Sequence, residues 1–185
     1  DLQDADGDTA LTHAVRGGHS EVANVLKLKG ADENIENNAG ESARKLYKIN
    51  ELLAASTAAA GDTVTRLLQE GVSVNSKQGN GDTGLHVSAK EGHDDIVKIF
   101  LDHDADVNIR GGSNKTPLIQ ASARGHLSTA RILIGRGADL ELRDSNGRTA
   151  LMWAALRDYP DIVSELLTRG AQKDVTNDEN ETALQ

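Results

Sequence analysis

Threonine recurs in this chain at a fixed interval. Thr83, Thr116, Thr149 and Thr182 follow one another at 33 residues, and Thr9 precedes Thr83 by 74, one such interval plus 41. The surrounding residues recur with them: GDTALTHAVRGGH from Gly7, NGDTGLHVSAKEGH over 80–93, NKTPLIQASARGH from Asn114, GRTALMWAALRDY from Gly147, and a short NETALQ from Asn180. A period of this length marks a stack of supersecondary units, each burying its apolar face against its neighbours. Aromatic content is only 2% within 37% hydrophobic residues, so the core is built from Ala, Leu, Val and Ile. That suits thin layers packed closely rather than one large globular centre.

Each unit reads as loop, short helix, turn, longer helix, loop. Thr9, Thr83, Thr116 and Thr149 stand where a first helix starts, and a Thr hydroxyl there accepts from an orphan N–H of the first turn. Pro117 follows Thr116 at the first helical position, where its missing N–H costs nothing. Gly18, Gly92 and Gly125 break the first helix. The second helix carries apolar pairs on one face, Ile96/Val97 with Phe100/Leu101 and Ile162/Val163 with Leu166/Leu167. Gly30, Gly71, Gly137 and Gly170 end it, and ADVNIR or ADLELR leads into a turn.

The order G-x-T-x-L-H-x-A-A-x-x-G-H, followed by a helix and G-A-D-V-N, resembles the ankyrin repeat, and GDTGLHVSAKEGHDDIVKIFLDHDADVN (81–108) is nearly a full match. The resemblance covers essentially the whole chain. It implies an all-α fold: an ankyrin-repeat α-solenoid of stacked antiparallel helix pairs with projecting finger loops. Repeats are expected at about 4–36, 37–77, 78–110, 111–143 and 144–176, with a partial copy at 177–185.

The second unit is eight residues too long. GESARKLYK (40–48) opens a first helix with Ser42 as a candidate cap, and the unit restarts at Asn50, a second candidate cap. Either a local insertion lengthens or kinks one finger, or one stack closes near Tyr47 and another begins at Ile49, with a hinge between. Both ends look cut: Asp1-Leu2-Gln3 aligns with Glu141-Leu142-Arg143, and the helix begun at Thr182 stops at Gln185. The domain is therefore expected to be a monomeric part of a longer chain.

Several chemistries are excluded. Without cysteine there are no disulfides or thiolate metal sites. No apolar run is long enough to span a membrane. A net charge of −9 argues against general nucleic-acid binding. DADGDTALTHAV (4–15) fails as a calcium loop, with Thr9 and Val15 where Gly and Glu belong, and DADVNIRGGSNK (104–115) fails likewise. No phosphate-binding GxxxxGK[ST] occurs, and no nucleophile has a base and orienter beside it, so neither enzyme activity, cofactor nor metal is expected. NKT and NET match the glycosylation acceptor without a secretory signal to use it. A cytoplasmic or nuclear location is expected. The resemblance implies structural roles for His19, His86, His93 and His126, while His13 faces the groove and His103 sits at a helix end.

Function then lies on the surface. Lys77, Arg110 and Arg143 are one column at 33-residue spacing, Lys115 and Arg148 another, and Arg124 and Arg157 a third, with Lys90 one residue off. The first unit is opposite in sign at Asp6, Asp8 and Glu36. Trp153, the only Trp, shares a column with His13, Ala54, Val87 and Gln120, a mixture that suits a groove-facing position. An exposed Trp beside Arg157 is a good anchor for a partner. The sequence therefore points to a non-catalytic module that binds a protein or peptide bearing acidic residues, through Lys77, Lys90, Arg110, Lys115, Arg124, Arg143, Arg148, Trp153 and Arg157. Two other readings stay open: a sensor for a phosphate-bearing ligand or nucleotide stacked on Trp153, and a passive scaffold segment.

Overall fold

The computed structural model describes residues 1–77 and 79–183. Among them are ten α-helices forming five consecutive pairs, with β-structure limited to isolated bridges. The helices are α1 (Ala10–Arg16), α2 (Ser20–Leu28), α3 (Ala43–Thr57), α4 (Gly61–Gln69), α5 (Gly84–Glu91), α6 (Asp94–Asp102), α7 (Pro117–Arg124), α8 (Leu127–Gly135), α9 (Ala150–Leu156) and α10 (Pro160–Thr168). No described helix is long and apolar enough to cross a membrane.

The threonine interval has its cause in helix initiation. Thr9, Thr83, Thr116 and Thr149 are the N-caps of α1, α5, α7 and α9, and each hydroxyl accepts from the backbone N–H three residues on. In α5 the cap is reciprocal, because His86 Nδ1 accepts in turn from the Thr83 amide. The turn after the first helix needs a left-handed residue. Gly18, Gly92 and Gly125 supply it, but Ala59 (φ 54°) and Asp158 (φ 59°) take the same conformation elsewhere against the preference of an L side chain.

The eight extra residues do not enlarge a finger. They continue α3 to 15 residues, about twice the length of the other first helices. Ser42 precedes this helix and accepts from the Lys45 amide at 3.3 Å, as a cap should. Asn50 is not a second cap: it lies inside α3, and its Nδ2 donates to the Val15 carbonyl at 3.4 Å. The sequence 43–57 lacks Gly and Pro, so nothing interrupts the helix at Asn50.

The chain divides into two compact units, 1–52 and 53–185, with the boundary inside α3. The first has a small core of Leu11, Ala14, Val15, Ala23 and Ala43, flanked by Leu26, Leu46 and Tyr47. Its finger is locked by charge. Buried Asp8 accepts from both terminal nitrogens of Arg16 and from Asn37 Nδ2 at 2.8 Å, and Arg16 also reaches Glu41 at 2.9 Å. The Arg16 guanidinium, against the opposing effect of burial, holds the Asp8 carboxyl down to about 2. The folded carboxyl thus binds its proton less readily than the unfolded one, so its stabilisation is complete above the ordinary value of 3.8 and is lost as pH falls through about 2. Asp8→Asn should lower the urea midpoint at pH 7, and the gap from the parent should close on acidification through that window. A gap independent of pH would refute the linkage.

In the second unit, α5, α7 and α9 pack side by side, as do α4, α6, α8 and α10. Val64, Leu67, Leu85, Phe100, Leu118, Ile119, Leu133, Ile162 and Leu166 are the large side chains sealed between these layers. The apolar pairs read on α6 are all buried. On α10 only Ile162 and Leu166 are, while Val163 is half-buried and Leu167 exposed.

Candidate functional site

Cross-repeat bonding governs which side chains remain available. His93 Nε2 donates to the Thr57 carbonyl and His126 Nε2 to the Lys90 carbonyl, both at 2.9 Å. Tyr159 takes the corresponding position in the last pair and lays its ring against Gly125. His86 is buried, which disfavours its charged form, and its Nε2 donates to the Lys115 carbonyl at 2.9 Å. These histidines are struts. His19 is exposed and lies beside Gly17, and His103 Nδ1 donates to the Ile99 carbonyl at 2.8 Å within its own helix end.

The cation columns divide in the same way. Lys77 Nζ donates to the Arg110 carbonyl at 3.0 Å, and Arg110 Nη1 to the Arg143 carbonyl at 2.7 Å. Lys77 and Arg110 thus each brace the next finger, spending donors on its backbone. Lys90 lies 3.6 Å from Glu91. Arg124 and Arg143 are exposed, with no ion pair among the described residues.

Lys115, Arg148 and Arg157 gather elsewhere. Lys115 Nζ stands 4.2 Å from the centroid of the Trp153 ring, the Arg157 guanidinium carbon 5.6 Å and that of Arg148 5.8 Å. Two of them come from neighbouring finger bases one period apart. The third lies one helical turn beyond Trp153. Attraction of each cation to the ring's electron-rich faces holds the group together.

Trp153 itself departs from expectation. It is only 8% exposed, so it is not a free apolar anchor. Its column does face outward, since His13 and Ala54 are exposed and Val87 and Gln120 half-buried. The indole is covered because its Nε1 donates to Asp144 Oδ2 at 2.9 Å while the cations lie over the ring. Asp144, buried at 6%, uses its other oxygen to accept from the amides of Asn146 and Arg148. This residue was missed by sequence reasoning, yet a signal for it exists. In the first unit His13 Nε2 meets Asp4 Oδ2 at 2.7 Å, and Asp4 Oδ1 accepts from the Asp6 and Asp8 amides. Asp4 and His13 stand nine residues apart, as do Asp144 and Trp153, and the same turn is built twice.

Asp4, Asp8 and His13 also bring ligand atoms within 4.8 Å of one another. Asp8 is committed to Arg16 and Asn37, and Asp4 to His13 and two amides, so the donors satisfy one another. An open cleft is lined by Arg148, Met152, Ala155, Leu156, Asn177 and Glu181. There Arg148 Nη2 comes within 3.5 Å of Glu179 and 3.8 Å of Glu181, both exposed.

The helix pairs, capped by Thr and tied by ladders at the repeat interval, agree with comparison to known families. A family model described as "Ankyrin repeats (3 copies)" matches residues 52–144 and 129–185, and one described as "Ankyrin repeat" matches residues 6–38. Residues 39–51, between these matches, hold the opening turns of the lengthened α3. The matches cover most of the chain, and the protein belongs to the ankyrin-repeat family.

Proposed function

We propose that this chain recognises a partner protein through an acidic segment lying along the fingers and first helices of its third to fifth helix pairs, without catalysis. Ankyrin repeats are generally protein–protein interaction modules, and this chain matches them over most of its length. The observation that carries the finer reading is the gathering of Lys115, Arg148 and Arg157 on one ring in a protein of net charge −9. Like charges collected at one place repel, and an acidic partner relieves that repulsion. Arg124 and Arg143 extend the basic surface. Lys77, Lys90 and Arg110 contribute less, since each already has a protein partner. Trp153 serves as the floor beneath the cations rather than as an anchor. Its coverage also removes the stacking platform that a nucleotide sensor would need.

Charge reversal tests this. A fluorescently labelled hexaglutamate peptide should bind the parent, with affinity falling steeply as salt rises past physiological strength. Arg124, Arg148 and Arg157 all changed to Glu should weaken it by about 100-fold or more. Unaltered affinity in the triple variant would reject this surface.

A further inference from the structure

Lys115, Arg148 and Arg157 sum to three positive charges, and the buried charge beneath them is the single carboxylate of Asp144. Among the described residues Lys115 and Arg157 have no carboxylate within ion-pair distance. Arg148 meets Glu179 and Glu181 only at 3.5 and 3.8 Å, and both acids are well solvated, at 70% and 54% side-chain exposure. Asp144 is the one buried counter-charge, Arg148 shares two solvated carboxylates, and Lys115 and Arg157 are left without a carboxylate of their own. A side-chain carboxylate supplies one negative charge and two coplanar oxygens. A phosphomonoester supplies about −1.5 to −2 and three oxygens arranged around phosphorus. Arginine's fork suits such an oxygen pair, and a lysine adds a point charge to the third.

The floor of the seat is fixed in advance. Trp153 is pinned through Nε1 to Asp144, whose second oxygen is held by the Asn146 and Arg148 amides. The last of these ties the backbone of one participating cation into the same turn. Lys115 is placed by its own carbonyl, which accepts from buried His86. Backbone positions of two of the three cations are therefore set before any ligand arrives, which lowers the ordering cost of binding.

We propose that Lys115, Arg148 and Arg157, gathered over Trp153, seat the phosphoryl group of a phosphoserine or phosphothreonine in the partner. This inference rests on the acidic-partner reading and sharpens it. The single Trp lies in the site, so its emission reports occupancy directly. The full chain would be titrated with inorganic phosphate, N-acetyl-phosphoserine amide, adenosine 5′-monophosphate and N-acetyl-glutamate amide at constant ionic strength. Saturable change is expected with phosphoserine amide at about tenfold lower concentration than with the glutamate amide. Lys115→Ala and Arg157→Ala should each weaken it about tenfold at unchanged Tm, whereas Glu179→Gln with Glu181→Gln should tighten it about threefold by removing opposing charge. The last variant gains function, which a merely misfolded protein would not do.

Equal response to phosphoserine and glutamate amides would overturn the phosphoryl assignment and leave the acidic-partner reading standing. Tighter binding of the nucleotide than of phosphoserine amide would overturn it in favour of a nucleotide source. An unresponsive Trp with every probe would overturn it as well, and loss of hexaglutamate binding in the reversal triple would still decide the broader reading separately.

Discussion

Gly84→Ala should destabilise the protein by about 3 kcal/mol, at the upper end of the cost of overpacking a core. A Cβ added at Gly84 would stand 2.1 Å from Phe100 Cζ, and Phe100 is fully buried with nowhere to retreat. Counterparts of Gly84 one or more intervals away are Ala10, Pro117 and Ala150, all of which carry a Cβ. Counterparts of Phe100 are Leu26, Leu133 and Leu166. The third pair therefore holds a larger residue on one helix and a smaller one on its mate. Phe100→Leu alone should cost about 1 kcal/mol in lost apolar burial. Combined with Gly84→Ala it should recover most of the loss, since the pair then matches its neighbours. Urea denaturation of the parent, both single variants and the double variant gives the coupling. A double variant as unstable as the sum of the singles would refute the exchange of volume.

The second large effect is expected at Asp144. Asp144→Ala removes the acceptor for the Trp153 indole and for two backbone amides, and it takes away the buried counter-charge to three cations. The cost should be about 2–4 kcal/mol, because buried donors are left without partners. Trp emission should shift to longer wavelength as the ring loses its tether and meets water. Asp144→Asn keeps an oxygen for the Asn146 and Arg148 amides but brings an NH2 against the indole N–H, so it should fall between the parent and the alanine variant. Thermal melts with fluorescence readout measure both effects. An alanine variant as stable as the parent, with unchanged emission, would show that Asp144 does not support the ring.

Local chemistry made much of this fold readable. A Thr hydroxyl caps the helix three residues away, so its spacing in sequence is its spacing in structure. The second unit misled because Asn50 has cap chemistry, yet an uninterrupted run of helix-compatible residues on either side outweighs one polar side chain. The surface was less legible. A period places Cα–Cβ vectors on one flank, and the column of His13, Ala54, Val87 and Gln120 does face outward. It does not say where a ring as large as indole comes to rest, which depends on an acceptor nine residues upstream. Nor does it separate a cation offered to solvent from one whose donors are spent, as with Lys77 and Arg110, on the next finger's carbonyl.

Those struts join a side chain to the backbone carbonyl of its counterpart residue one interval on, and this bears on how such a gene can vary. Excising residues 111–143 would join Arg110 directly to Asp144, giving every remaining strut an equivalent acceptor. Gly92, left-handed like Gly125, would receive the Tyr159 ring. Asp82 would then occupy the place of Lys115 beside Trp153. Recombination in whole copies would thus preserve the framework while rewriting the charges around Trp153, so that the events that lengthen or shorten the array also recompose its surface.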